Sequence, residues 1–254
     1  MRRIQEEDYE ARGVTRYVEE EQWDRYWVFK SSNKASDNQG LHSNMFKAMR
    51  MVVNVEDRKK AGQAYDRWAP PLEAYNVGRR LINITLATGI TCDGWNDEVL
   101  VTLAKVEGSA DIKDTRPIGL LSLLRNAMMG IIYAGVGITW HELGVIASTQ
   151  MGFQKEMGTE QFRIVQNSIY EYCYLFQEDI ATCNEDKKHA FDSPTQTVGF
   201  EMGMMRLGMP EWLIKLDAKL NREGRMMVRF AHGLTEKFKR RGDGGCGNGA
   251  VQGG

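Results

Sequence analysis

Cysteine and histidine are scarce in this chain, and neither is arranged for metal. The four cysteines, Cys92, Cys173, Cys183 and Cys246, form no Cys-x-x-Cys pair, and only four histidines lie among 254 residues. That spacing supports neither a zinc site nor a disulfide framework, so reduced thiols in an intracellular protein are expected. An excess of either charge is missing as well. Lysine and arginine number 33 against 34 acids, for a formal net charge of −1. A dedicated nucleic-acid binder usually carries a basic surplus, so any such role must rest on local clusters. Arg58-Lys59-Lys60, Arg79-Arg80 and the run from Lys237 to Arg241 are the candidates, and each alone reads as a solvated face. The opening "MRRIQEEDYEARG" lacks an apolar core segment, which predicts no signal peptide. An uninterrupted hydrophobic run is absent too. The most apolar stretch, 118–140, contains Arg125 and Asn126, and three glycines thin its second half. Burying that arginine in a bilayer would cost about 2.5 kcal/mol or more, so a core helix is expected and no membrane contact.

What remains is the composition of an ordinary globular protein, 42% apolar and 26% charged, long enough for one large core or two modest ones. Residues 1–30 interleave charges with aromatics and predict a helix with one apolar face. Serine, asparagine and glycine over 31–40 predict a loop. Helices are expected from 42 to about 60 and over 72–86, separated by the extended break that Pro70 and Pro71 impose. "EVLVTLAKVEG" alternates as a strand, with Val99, Val101 and Leu103 on one side, and Arg116-Pro117-Ile118 resumes extended structure. A long apolar helix is expected over 120–134, with room to continue to 146. Another is expected over 160–176, where Phe162, Val165, Ile169, Tyr172 and Leu175 share a face. A short strand over 179–185, a helix from Pro194 to Leu207, a helix over 211–220 and a strand at "GRMMVRF" complete the order. The class is α/β (α+β), dominated by helices.

Six fragments fall in one colinear series: "NKASDNQGL", "DTRPIGLLSLL" with Lys105 ahead of it, "QMGFQKEMGT", "DKKHAFDSP", "LGMPEWLIKL" and "GAVQGG". Each is degenerate alone. Together they resemble the reverse transcriptase domain of LINE-type (non-LTR) retrotransposons over about 19–254, nearly the whole chain. The resemblance implies the fingers and part of the palm of a right-hand polymerase fold, without a thumb. Residues 1–32 would then be a charged helical extension, 33–175 a fingers-like and upper-palm region, and 176–254 a partial palm ending in a glycine-rich loop.

The same resemblance implies roles for individual residues. Lys105 and Arg116 would grip the triphosphate of an incoming deoxynucleotide, a task suited to a point charge and a bidentate fork. Gln150-Met151-Gly152-Phe153 with Thr159 would seat the template. Asp186 would be the first catalytic aspartate and a Mg2+ ligand. Phe191 would lie under the sugar and exclude a 2′-hydroxyl by sterics, and Gln252 would sit near the nascent base pair. Asp192 reads better as a cap for the helix near Pro194 than as a metal ligand. The partners implied are an RNA template, a DNA primer and deoxynucleotides.

The chain also departs from the pattern. Asp37 stands where the family's opening loop has glycine, and Gln39 where it has aspartate. Asn184, Glu185 and Lys187 are polar around Asp186, where apolar residues are usual, and His189 stands where lysine is common. The family completes its two-metal site with an aspartate pair in a later hairpin, and the 254 residues contain no adjacent pair of aspartates. An alternative reading is a catalytically dead RNA- or protein-binding helical module, with Lys30, Lys34, Lys105 and Arg116 forming a basic face. The purified 254-residue chain is expected to show no template-dependent nucleotide incorporation. Incorporation that Asp186→Ala abolishes would overturn this expectation.

Overall fold

Trp23 and Trp27 stand four residues apart, so a helix places both on one face. A computed structural model, which describes residues 4–31, 36–53, 72–105, 107–108, 111, 114–147, 149–150, 157–183, 195–222, 224–230 and 232–239, buries both completely. They belong to α2 (Glu20–Phe29), which follows the short α1 (Glu6–Glu10). Phe46 of α3 (Ser43–Val53) stacks on Trp27 with ring centroids 4.6 Å apart and meets Trp23 edge-on at 5.7 Å. Tyr75 of α4 (Leu72–Thr88) closes the cluster 5.9 Å from Trp23. Such aromatic pairs contribute about 0.5–1.5 kcal/mol each beyond the area they bury. Gly78 lets α4 come this close, because a Cβ there would lie 3.0 Å from both Trp23 and Leu124.

The apolar run forms α5 (Leu123–Glu142), against which α1, α2 and α4 all lie. Among its buried residues are Leu124, Met128, Ile132 and Val136. Arg125 is buried with them, and its two Nη atoms donate to the Trp95 carbonyl (3.2 Å) and to Asn221 Oδ1 (2.8 Å). It is thus a core arginine, as the break in the apolar run implied, and none of the described helices is long and apolar enough to cross a membrane. The N-terminal segment is fixed to the same helix. Trp140 Nε1 donates to the Tyr9 hydroxyl (2.9 Å), which donates to the Leu207 carbonyl (2.7 Å). Tyr9, Val14, Trp23 and Trp27 therefore share one buried cluster with α4, α5 and α8 (Glu211–Arg222).

Five strands form a small mixed sheet in the order β2-β1-β3-β4, with β5 also paired to β3. β1 (Asp97–Ala104) runs antiparallel to β2 (Thr115–Leu120), with Val99 opposite Leu120 and Leu103 opposite Arg116. Its other edge pairs in parallel with β3 (Arg225–Phe230), Asp97 opposite Arg225. β4 (Gly233–Leu234) and β5 (Phe238–Lys239) pair antiparallel to β3. The helices make their main contacts with one another, and so do the strands. The architecture is mixed α/β with helices predominating, as expected.

Several boundaries differ from the sequence reading, two of them at a left-handed glycine. The first thirty residues form two helices because Gly13 turns the chain at φ 81°, in the left-handed region that stops a helix. Gly144 ends α5 near Glu142 in the same way, at φ 65°. The helix expected after Pro194 is a π-helical turn, Gln196–Glu201, followed by the short α7 (Met202–Arg206). The strand expected over 179–185 does not form in its described part: Asp179, Ile180, Ala181, Thr182 and Cys183 are irregular and exposed. The helix expected over 160–176 does form, as α6 (Thr159–Phe176), yet none of its residues is buried.

Removing the indole of Trp27 empties the centre of the aromatic cluster, so Trp27→Ala is expected to cost about 3–5 kcal/mol. Urea unfolding followed by far-ultraviolet circular dichroism measures this, and a loss well under 1 kcal/mol would show that the cluster does not support the core.

Candidate functional site

Asp37 organises the entrance to the sheet. Its Oδ1 accepts from the backbone N–H of Gln39 (2.8 Å) and Leu41 (2.7 Å), closing the loop on itself. Its Oδ2 accepts from the N–H of Leu123 (2.8 Å), the first residue of α5. A carboxylate is well suited there, since the first N–H groups of a helix lack internal partners and carry partial positive charge. The next residue, Asn38, donates through Nδ2 to the carbonyls of Gly94 (3.0 Å) and Asp97 (2.8 Å). One loop thus fixes the start of β1 against the start of α5.

Side chains alternate across a strand, so the observed register sorts the sheet into two faces. Asp97, Val99, Val101 and Leu103 share a face with Arg116 and Ile118 of β2, with Arg225 and Arg229 of β3, and with Lys239 of β5. Lys237, just ahead of β5, reaches the same face through Asp97. Among the described strand residues, Asp97 is the only acid on this side. It is buried, and it accepts from Arg225 Nε (2.6 Å) and Lys237 Nζ (2.7 Å). Asp93, in the loop before β1, lies 3.4 Å from Arg225. Arg116, Arg229 and Lys239 are exposed, and no ion pair engages them among the described residues. Five cations therefore stand on a face whose one strand carboxylate is already matched by two of them.

Burial pushes the Asp97 carboxyl up, but the hydrogen bonds and charges of Lys237 and Arg225 outweigh it and hold the group below the usual carboxylate range. The bond to Asp97 raises Arg225 in return. A carboxylate committed to two cations is a poor ligand for a hard metal ion, which needs free oxygen donors. Among the described residues no group of three His, Cys, Asp or Glu side chains is assembled to hold a metal.

Of the residues singled out by sequence, Lys105 and Arg116 lie at the turn end of the β1–β2 hairpin, both exposed. The Lys105 N–H donates to the Asp114 carbonyl at 2.6 Å, closing the pairing one residue beyond the strand. Gln150 is exposed, and Thr159 begins α6. Asp186, Phe191 and Gln252 lie outside the described residues, as do Lys34, Gly152, Phe153 and Asp192. Lys30 lies 5.2 Å from the Tyr26 ring centroid, and burial lowers its pKa. Sequence reasoning missed Asp97, Arg225 and Arg229. The signal was present in "RMMVRF", where arginines four apart in a strand must share a face.

No protein-family model matches the chain, and no curated protein is significantly similar to it.

The acid limb of stability tests the Asp97 cluster. The unfolded carboxyl titrates near 3.9, and the folded one lies lower. Its contribution is fully present above about pH 5 and disappears as the pH falls through the folded value. Asp97→Asn should therefore cost about 1–2 kcal/mol at pH 7 and lose less melting temperature than wild type between about pH 5 and pH 3. Parallel melting curves for the two proteins would refute the pairing.

Proposed function

We propose that the chain is a reverse-transcriptase-like segment of the non-LTR retrotransposon kind, comprising fingers and part of a palm, whose cationic sheet face engages phosphates. The observation that supports this reading is a convergence. The loop at Asp37, the hairpin of Lys105 and Arg116, and the strand leading toward Gln252 come from distant parts of the chain. They meet on one sheet, where the Asp97–Arg225 pair spans 128 residues. A polymerase needs this arrangement because a triphosphate and a nucleic-acid backbone present many anionic oxygens along one surface. Arg116 and Lys105 would hold deoxynucleotide phosphates, and Arg229 and Lys239 would hold the backbone of an RNA template with its DNA primer. In this reading Asp186 is the Mg2+ ligand, Phe191 the ring beneath the sugar and Gln252 the residue beside the nascent pair.

A second reading is favoured by one fact of the sequence. No two aspartates are adjacent anywhere in the 254 residues. On that reading the sheet face binds RNA and the chain performs no chemistry.

Fluorescence anisotropy with a labelled RNA–DNA primer-template, titrated at several salt concentrations, tests what both readings share. Affinity should fall steeply with salt, and Arg116→Ala or Arg229→Ala should each lower the salt slope by about one without changing the melting temperature. Binding that ignores salt, or no binding, would sink the sheet face as a nucleic-acid surface. Adding a deoxynucleoside triphosphate with Mg2+ then separates the readings. Tightening that Asp186→Ala removes favours the polymerase; RNA binding with no such tightening favours the module.

A further inference from the structure

Eighteen residues of α6 bury none of their side chains, although the helix is far from polar. Phe162, Val165, Ile169, Tyr172 and Phe176 recur at alternating spacings of three and four, the pattern that keeps one seam facing a partner helix. All five are exposed, between 46% and 63% of their surface, and the Tyr172 and Phe176 rings touch with centroids 4.6 Å apart. The flanks of the seam are uncharged. Helical spacing places Gln161 and Ser168 along one side and Gln166 and Cys173 along the other. Glu160, Arg163 and Glu171 fall away from it. The seam therefore does not call for a partner of opposite charge, and an identical seam meets no repulsion.

Four of the five positions are also symmetric about Asn167. Phe162 and Tyr172 lie equally far from it, as do Val165 and Ile169. Two antiparallel copies thus set ring against ring and branched aliphatic against branched aliphatic. Opposed helix dipoles favour the same direction. The exposed parts of the five side chains amount to about 1,000 Å² over two copies, the low end of what specific association requires.

We propose that two copies of this chain associate through α6, antiparallel, about a two-fold axis at the level of Asn167. The proposal does not depend on the polymerase reading. The small area makes the dimer weak, so it appears only as concentration rises.

Sedimentation velocity on the full chain between about 1 μM and about 100 μM tests it. The sedimentation coefficient should climb to that of a dimer, while Ile169→Glu should stay monomeric with an unchanged melting temperature. A wild type that remains monomeric throughout overturns the proposal, and so does a monomer in which Ile169→Glu lowers the melting temperature, since the face is then covered within one chain. The axis has its own test. Ser168 lies about 3 Å along the helix from its symmetry mate, whereas two Cys173 residues lie about 18 Å apart. A short bis-maleimide should link Ser168→Cys into a covalent dimer that the wild type does not form. A dimer without that crosslink rules out the antiparallel arrangement.

Discussion

The carboxylate of Asp37 joins two parts of the structure that otherwise touch little. One oxygen closes its own loop and the other holds the first N–H of α5, the helix against which α1, α2 and α4 lie. Asn38 then carries the connection to the carbonyls at the start of β1. Buried amide groups need partners, and a carboxylate without them would be costly, so each side of this contact requires the other. Arg125 makes a parallel link from the same helix, to the loop before β1 and to α8. Between them these two buried charges set where the sheet leaves the helical body.

That position has an electrostatic consequence. The sheet lies beside the helices with much of both faces half-exposed, so its cations stay in water and keep their full donor capacity. Asp97 is the exception, and it pairs with Arg225 and Lys237 beside the exposed charges of Arg116, Arg229 and Lys239. A chain with almost no net charge can present a strongly positive surface in this way, because the compensating acids lie elsewhere.

Much of this fold could be read from the sequence. Alternation in "EVLVTLAKV" and "RMMVRF" gave two strands, and the apolar run gave α5, because periodicity records which side of an element is buried. Breaks set by a single left-handed glycine were harder, since Gly13 and Gly144 look like any other glycine until the backbone around them is known. The exposure of α6 could not be read at all: its spacing announces an apolar face but not whether the rest of the chain covers it. The site divides in the same way. Lys105 and Arg116 came from colinear motifs, whereas the grouping of Arg225 and Arg229 with Arg116 depends on a parallel pairing between segments more than a hundred residues apart. No local pattern encodes such a pairing.

The same parallel pairing shapes how the protein is made. β1 and β2 leave the ribosome together and can zip into a hairpin at once. β3, however, begins 105 positions after β2 ends. At synthesis rates of about 5–20 residues per second, the inner edge of β1 stays unpaired for roughly 5–20 s. During that interval a nascent chain offers a half-finished sheet to any other strand nearby, and on a polysome the nearest strand belongs to a sibling. Much of the helical body, α1 to α5, is made well before then, and α8 completes its core just ahead of β3. The part made first can act as the chain's own guard, holding β1 by its Asp37 and Arg125 attachments until the proper strand arrives.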